Sequence, residues 1–302
     1  APECRVPKTD RSTSKPLIKV QTEEGNVASL YWRFQMKLSA PIYVLKSQAK
    51  ALKRRQNISL TEALDQIAKQ EGFATWSLLA AKSKSLLPSS YSEMLDFLNP
   101  GDLVLVAARP GMGKGIFAIG LIAQAFSGDR PKPHLFTLVE REEDTLSRLA
   151  AYGDPSTDNP DLCWIDCSND ICADYIIAMA KDRVRPGTLI VVDYLQMLDE
   201  KRVNPPLQTQ IESLQNFAKT TGAILLFVCQ IDRAVADRAN QRPTISDIRL
   251  PNPLDLALFN KIIFLYRDSR ESTEAEVSFA GAEDHLFKIG LDLEQPRFFD
   301  LA

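Results

Sequence analysis

Residues 101–120, GDLVLVAARPGMGKGIFAIG, constrain this chain more than any other stretch. Leu103 to Ala108 is an apolar run rich in branched side chains, the pattern of a strand buried on both faces. It runs into Arg109-Pro110-Gly111-Met112-Gly113-Lys114-Gly115, and Ile116, Phe117, Ile119, Leu121 and Ile122 then open a mostly apolar helix. Strand, glycine loop, Gly-Lys and helix in that order are the context of a phosphate-binding P-loop. Gly111 and Gly113 allow the backbone to curl so that successive N–H groups point inward as a nest for anionic oxygens. The helix adds its positive end, and Lys114 reaches the terminal phosphates as a point charge. One position departs from the pattern: residue 115 is glycine, where serine or threonine is usual. A strand–turn–helix corner with a chance Gly-Lys is the structural alternative.

At 302 residues the chain is long enough for two domains. Its 45% hydrophobic and 25% charged residues are those of an ordinary globular protein, and a net charge of −3 singles out no class of partner. No apolar run approaches the ~18 residues that span a membrane, and APECRVPKTDR lacks the apolar core of a secretion signal, so no membrane association and a cytoplasmic location are expected. Five cysteines, an odd number unevenly spread, do not suggest a disulfide framework. Cys163, Cys167 and Cys172 are close in sequence but lack a C-x-x-C pair or nearby histidines. Cys163 and Cys167 alternate with Ile165 as small core residues would.

The order of patterns suggests three regions. Residues 1–35 read as a leader with short strand-forming stretches at Leu17–Val20 and Ala28–Phe34. Residues 36–84 read as a small helical module. Ile42, Leu45, Ala49 and Leu52 recur at helical spacing, Ser59-x-x-Glu62 is a capping box, Gly72 stops the second helix, and Thr75 caps a third whose Trp76 and Leu79 close the core. The module carries nine basic residues against three acidic ones. Lys46, Lys50, Lys53 and Arg54 fall on one arc beside the apolar stripe, the footprint expected of contacts to nucleic-acid phosphates and equally that of a solvated helix face. Lys84 to Glu93 reads as a linker. Residues 85–302 then alternate strand and helix patterns: Pro133–Val139, Glu142–Ala151, LCWIDCS, Ala173–Val184, Thr188–Leu198, a helix carrying Leu207, Ile211, Leu214 and Phe217, then Ala223–Gln230 and Lys261–Arg267. Near-continuous apolar strands between helices indicate an α/β fold with a parallel sheet covered on both faces. Ligands then sit at the carboxyl ends of the strands, where the P-loop, Asp193 and Gln230 all fall.

GDLVLVAARPGMGKG, LIVVDYLQML, VCQIDRAVADR, QRPTISDIR and IIFLYRD, in this order, resemble the C-terminal ATPase domain of DnaB-type replicative DNA helicases, a RecA-like P-loop fold. The resemblance covers most of residues 99–268 and leaves out the helical module. It implies ATP as ligand, Mg²⁺ as cofactor, DNA as partner (single-stranded, or plasmid or phage replication DNA) and a ring-shaped homo-oligomer or a helicase partner. By it Arg109 to Gly115 hold the nucleotide, Lys114 meets the β- and γ-phosphates, Asp193 positions Mg²⁺ through water, Gln230 senses the γ-phosphate, and Arg249 lies in the DNA-facing region.

Several positions depart from that family. Gly115 replaces the hydroxyl residue that ligates Mg²⁺. The position of the family's catalytic glutamate is Val139 here, with Glu140 one residue late, which turns the carboxylate to the wrong face unless a bulge corrects it. Arg249-Leu250-Pro251-Asn252 stands where the family has Arg-Glu-Ser-Gly. Gly281-Ala282-Glu283-Asp284-His285 stands where a basic segment reaches into a neighbour's nucleotide site. Two functions fit: an ATP-binding protein similar to replicative helicases that acts on DNA with weak hydrolysis, or a catalytically degenerate regulatory or adaptor module for DNA or a helicase partner.

Overall fold

The computed structural model describes residues 38–126, 130–150, 152, 163–201, 203–248, 250 and 252–301. The strand-forming stretches expected in residues 1–35 lie outside these. Three helices come first: α1 (Ile42–Gln56), α2 (Leu60–Gln70) and α3 (Trp76–Lys84). Leu45, Ala49, Leu52, Ala63, Ile67, Ala68 and Leu79 form their common core, with Trp76 packed against it. The caps are those the sequence announces. Ser59 accepts from Glu62 N at 3.1 Å and Thr75 from Leu78 N at 3.4 Å, and Gly72 takes φ +85° after α2.

Then come α4 (Met94–Phe97), β1 (Leu103–Ala108), α5 (Lys114–Phe126), β2 (His134–Thr137), α6 (Glu142–Ala150), β3 (Trp164–Asp166), α7 (Ala173–Ala180), β4 (Leu189–Asp193), α8 (Leu207–Thr221), β5 (Ile224–Gln230), β6 (Lys261–Tyr266), β7 (Glu274–Phe279), β8 (Ala282–Asp292) and β9 (Arg297–Asp300). Among the described residues they build a nine-stranded sheet in the order β3-β2-β4-β5-β1-β6-β7-β8-β9. β3 to β6 in that order pair in parallel, and β7, β8 and β9 continue the sheet antiparallel. Every residue of β1 is buried because the sheet is covered on both faces. Val104, Val106 and Ala108 enter one apolar layer with α5, while Leu103, Leu105 and Ala107 enter the other with α7 and α8. The two-residue period of a strand thus splits one apolar run between two cores.

Two joints tie the helices to the sheet. Tyr43 of α1 donates its hydroxyl to Leu256 O at 2.7 Å and also to Phe259 O, and burial raises its pKa. The stretch from Lys84 to Glu93 is packed where the sequence suggests a linker. Tyr91 is buried, packs its ring tilted against Phe117 and donates to Phe117 O at 2.8 Å. A Ser- and Pro-containing stretch reads as a linker by composition, and only the partner of one aromatic ring reveals otherwise.

Candidate nucleotide site

β1 ends between β5 and β6, and the chain then crosses past β5 and β4 to reach β2. This is a switch point, where a crevice opens at the carboxyl ends of parallel strands. The loop Arg109–Gly113 turns there. Gly111 at φ +80° and Gly113 at φ +94° adopt the left-handed region that glycine enters without steric cost. Neighbours also exclude a larger residue, since a Cβ on Gly113 would stand 2.9 Å from Phe298 Cζ of β9. Lys114 opens α5, is buried, and donates from Nζ to Arg109 O at 3.0 Å. Burial pushes its pKa down to about 8, with Asp193 and Cys229 opposing.

Asp193 ends β4, paired with Thr137 of β2 and Val228 of β5. A Cβ added to Gly115 would lie 3.2 Å from Asp193 Oδ2, so the glycine sets how closely the carboxylate approaches the start of α5. Burial, and after it the charge of Glu140, lift Asp193 to about 6, while Lys114 and Arg148 pull the other way.

Glu140 lies beyond the end of β2 rather than in it. β2 stops at Thr137 and residues 138–140 bend. Val139 N donates to Thr137 Oγ1 at 3.0 Å, and Val139 is 54% exposed. Val139 is turned outward, and Glu140, the next residue, raises the pKa of Asp193 by its charge. Its Oε1 pairs with Arg148 Nη2 at 2.9 Å, while its Oε2 is buried and accepts no hydrogen bond. Burial raises its pKa, with Arg148 counteracting.

Lys114, Asp193 and Glu140 are therefore coupled electrostatically. Gln230 ends β5 opposite Ala108 and is exposed. It lines a cleft of about 370 Å³ with Pro110, Tyr194, Gln196 and Arg233. The basic arc is on α1, where Lys50, Lys53 and Arg54 are exposed. Lys46 is half-buried, and its charge acts on Asp284. Arg249 lies outside the described residues. The sequence patterns did not point to Arg148, Phe298 or the arginines of the β6–β7 turn. Each reaches the site from a distant position, with no local motif to mark it.

A buried ammonium on a glycine loop at the start of a helix suits an anion, and two partly buried carboxylates, one with an unpartnered oxygen, suit a cation. The residues present therefore fit a nucleotide and Mg²⁺. The architecture defines the fold: a RecA-like, mostly parallel sheet with helices, preceded by a helical region. Comparison with known proteins narrows the resemblance. Residues 157–288 match the model of the DnaB-like helicase C-terminal domain, a stretch that begins after the P-loop. The replicative DNA helicase DnaB of Mycoplasma genitalium is 24% identical over 233 residues, 66% of this chain and 48% of that protein. Among solved structures, an ATPase domain studied by itself aligns with a TM-score of 0.58 at 21% identity, over 75% of this chain and 98% of that one. A DnaB-like replicative helicase solved in a study of its interactions with primase aligns with a TM-score of 0.60 at 20% identity, over 85% and 75%. The chain spans about half the length of the curated relatives it matches. It resembles the C-terminal ATPase domain of DnaB-type replicative helicases. Among the described residues no helix is long and apolar enough to cross a membrane.

A pH effect follows from Asp193. Its pKa is about 6 in the fold against an ordinary 3.8. Between those values the folded chain holds a proton that the unfolded chain has lost, so this group's contribution to stability falls as pH rises from about 4 to 6. Asp193→Asn is expected to stabilise the nucleotide-free protein at pH 7 by on the order of 2–3 kcal/mol relative to its effect at pH 4. Denaturant unfolding at the two pH values checks it. A stability difference that does not change with pH would refute the burial of this charge.

Proposed function

We propose that this protein binds ATP with Mg²⁺ in the P-loop, hydrolyses it slowly, and acts on DNA. The observation that carries the reading is the cluster of Lys114, Asp193 and Glu140 at the strand ends, with charges the protein's own groups only partly neutralise. Lys114 neutralises the terminal phosphates. Asp193 and Glu140 are the groups able to hold Mg²⁺, which when bound offsets phosphate charge. Glu140, whose Oε2 has no hydrogen-bond partner, is assigned the orientation of the attacking water, and Gln230, at the end of β5, the sensing of the γ-phosphate. The alternative of a regulatory or adaptor module differs only in turnover and is separated by the rate measurement argued in the Discussion. A titration with a fluorescent ATP analogue, with and without Mg²⁺, tests the reading directly. Absence of Mg²⁺-dependent binding would remove it.

The DNA part rests on the exposed Lys50, Lys53 and Arg54 of α1. Contacts of this kind are made to phosphates, and each phosphate neutralised on duplex contributes about −0.9 to the slope of log affinity against log salt. Replacing all three by alanine in the full chain is expected to weaken DNA binding evenly across sequences and to flatten that slope. Fluorescence anisotropy at two or more salt concentrations reads both. An unchanged slope would mean the arc is only a solvated face.

A further inference from the structure

The turn between β6 and β7 lies on the P-loop and is fixed to it from both sides. Arg109 of the loop donates from Nη2 to Arg267 O at 2.7 Å. Arg267 is 3% exposed. It donates to Ser272 O from Nε at 3.1 Å and from Nη2 at 2.6 Å, reaches Arg270 O as well, and has Nη1 3.5 Å from Gly111 O. Its side chain is thus spent on shaping residues 268–272. The residue this turn presents is Arg270, which is exposed. A Cβ on Gly111 would stand 2.6 Å from Arg270 Nε, 3.0 Å from Cζ and 3.2 Å from Nη2, so the guanidinium lies flat against the loop at that glycine. The Lys114 ammonium lies against the start of the same loop, 3.0 Å from Arg109 O. The two nearby carboxylates are differently engaged. Asp268 accepts from Tyr266 Oη at 2.6 Å, and Glu271 is held low first by the Ser269 hydroxyl, with Arg270 and Arg267 contributing.

We propose that Arg270 is a phosphate ligand supplied by the chain's own β6–β7 turn, contacting the terminal phosphoryl group of a nucleoside triphosphate beside Lys114. The proposal rests on the nucleotide-binding reading of the P-loop. A P-loop lysine meets the β- and γ-phosphates, and the guanidinium lying on the loop at Gly111 is assigned to the γ-phosphoryl oxygens alone. Arginine matches phosphate with two parallel N–H donors and forms the stronger, charge-assisted kind of hydrogen bond. The turn is already ordered by Arg267, which lowers the entropy lost on contact. Because the third phosphate is what Arg270 reaches, its effect appears as a preference for triphosphate over diphosphate.

Fluorescent ATP and ADP analogues, each with Mg²⁺, are titrated into wild type, Arg270→Ala, Arg270→Lys and Lys114→Ala. Arg270→Ala is expected to weaken ATP binding about tenfold and ADP binding less than about twofold, since only the triphosphate contact is lost. Arg270→Lys is expected to fall between, and Lys114→Ala to weaken both. Retained ADP binding is itself the check that the exposed-site variant folds. If Lys114→Ala weakens both nucleotides while Arg270→Ala keeps the wild-type ATP-to-ADP ratio, the Arg270 proposal alone is overturned. If wild type binds neither nucleotide, or binds them as Lys114→Ala does, the P-loop reading falls and takes this proposal with it.

Discussion

Lys114→Ala is expected to weaken nucleotide binding at least about tenfold, or 1.4 kcal/mol, while leaving the fold no less stable at neutral pH. The two halves of this expectation come from the same burial. Lys114 sits in the protein with a pKa of about 8 against 10.5 in the unfolded chain, chiefly because burial disfavours its charge. Below pH 8 both forms are charged, and the buried charge costs on the order of 3 kcal/mol. Between about 8 and 10.5 the folded chain has released a proton that the unfolded chain keeps, so stability from this group is regained as pH rises through that window. A phosphate at the loop supplies the counter-charge that Asp193 gives only in part. Alanine removes both the cost and the capacity to bind. Melting of the nucleotide-free proteins at pH 7 and pH 10 reads the first effect: wild type gains relative to the variant at the higher pH. Fluorescent nucleotide titration reads the second. Equal nucleotide affinity in the two proteins would refute the phosphate-binding role.

The P-loop and the parallel core were legible because their signals are local. Gly111 and Gly113 mark positive φ, and apolar runs such as Leu103–Ala108 and Ile224–Gln230 mark strands buried on both faces. Asp193 was legible as the polar end of such a run. Glu140 was only half legible. The sequence shows a residue too many before it but not whether the strand continues or bends. The outcome depends on Thr137 Oγ1 capturing Val139 N and on Arg148 drawing the carboxylate inward. The linker reading of Lys84–Glu93 missed Tyr91 because the rings it packs against, Phe117 and Phe298, are far away in sequence. Arg267 and Arg270 were illegible for the same reason, their contact with Gly111 spanning over 150 residues. Nothing in composition or periodicity records a contact between a turn and a loop on different strands.

ATP turnover is expected to stay below ~1 s⁻¹, and to change little with single-stranded DNA. Phosphoryl transfer is catalysed by positioning and by charge offered to the phosphoryl oxygens, so the count of correctly placed groups sets the rate. Gly115 offers no oxygen to Mg²⁺. Glu140 keeps one unpartnered oxygen, its other being held by Arg148. The heaviest loss is at residues 281–285, where the resemblance expects a basic segment reaching a neighbouring subunit. Here Gly281 lies under α1: a Cβ would stand 2.7 Å from Ile42 Cγ2 and 2.8 Å from Tyr43 N. Asp284 pairs with Lys84 at 2.7 Å, and His285 Nε2 donates to Pro88 O at 2.8 Å. The Lys84 pair is exposed and contributes little to stability, so the close fit of Gly281 against α1 and the His285 bond to Pro88 O hold the segment in place. A segment occupied by its own helical module has no arginine to lend. An arginine finger, in cis or in trans, is worth about 10³–10⁵ in rate, and residues 281–285 supply none. Steady-state hydrolysis with and without DNA, on wild type and Glu140→Gln, measures the turnover. Glu140→Gln is expected to abolish the residual rate while ATP still binds. Turnover above ~1 s⁻¹ that rises with DNA would show that a neighbouring subunit completes the site after all.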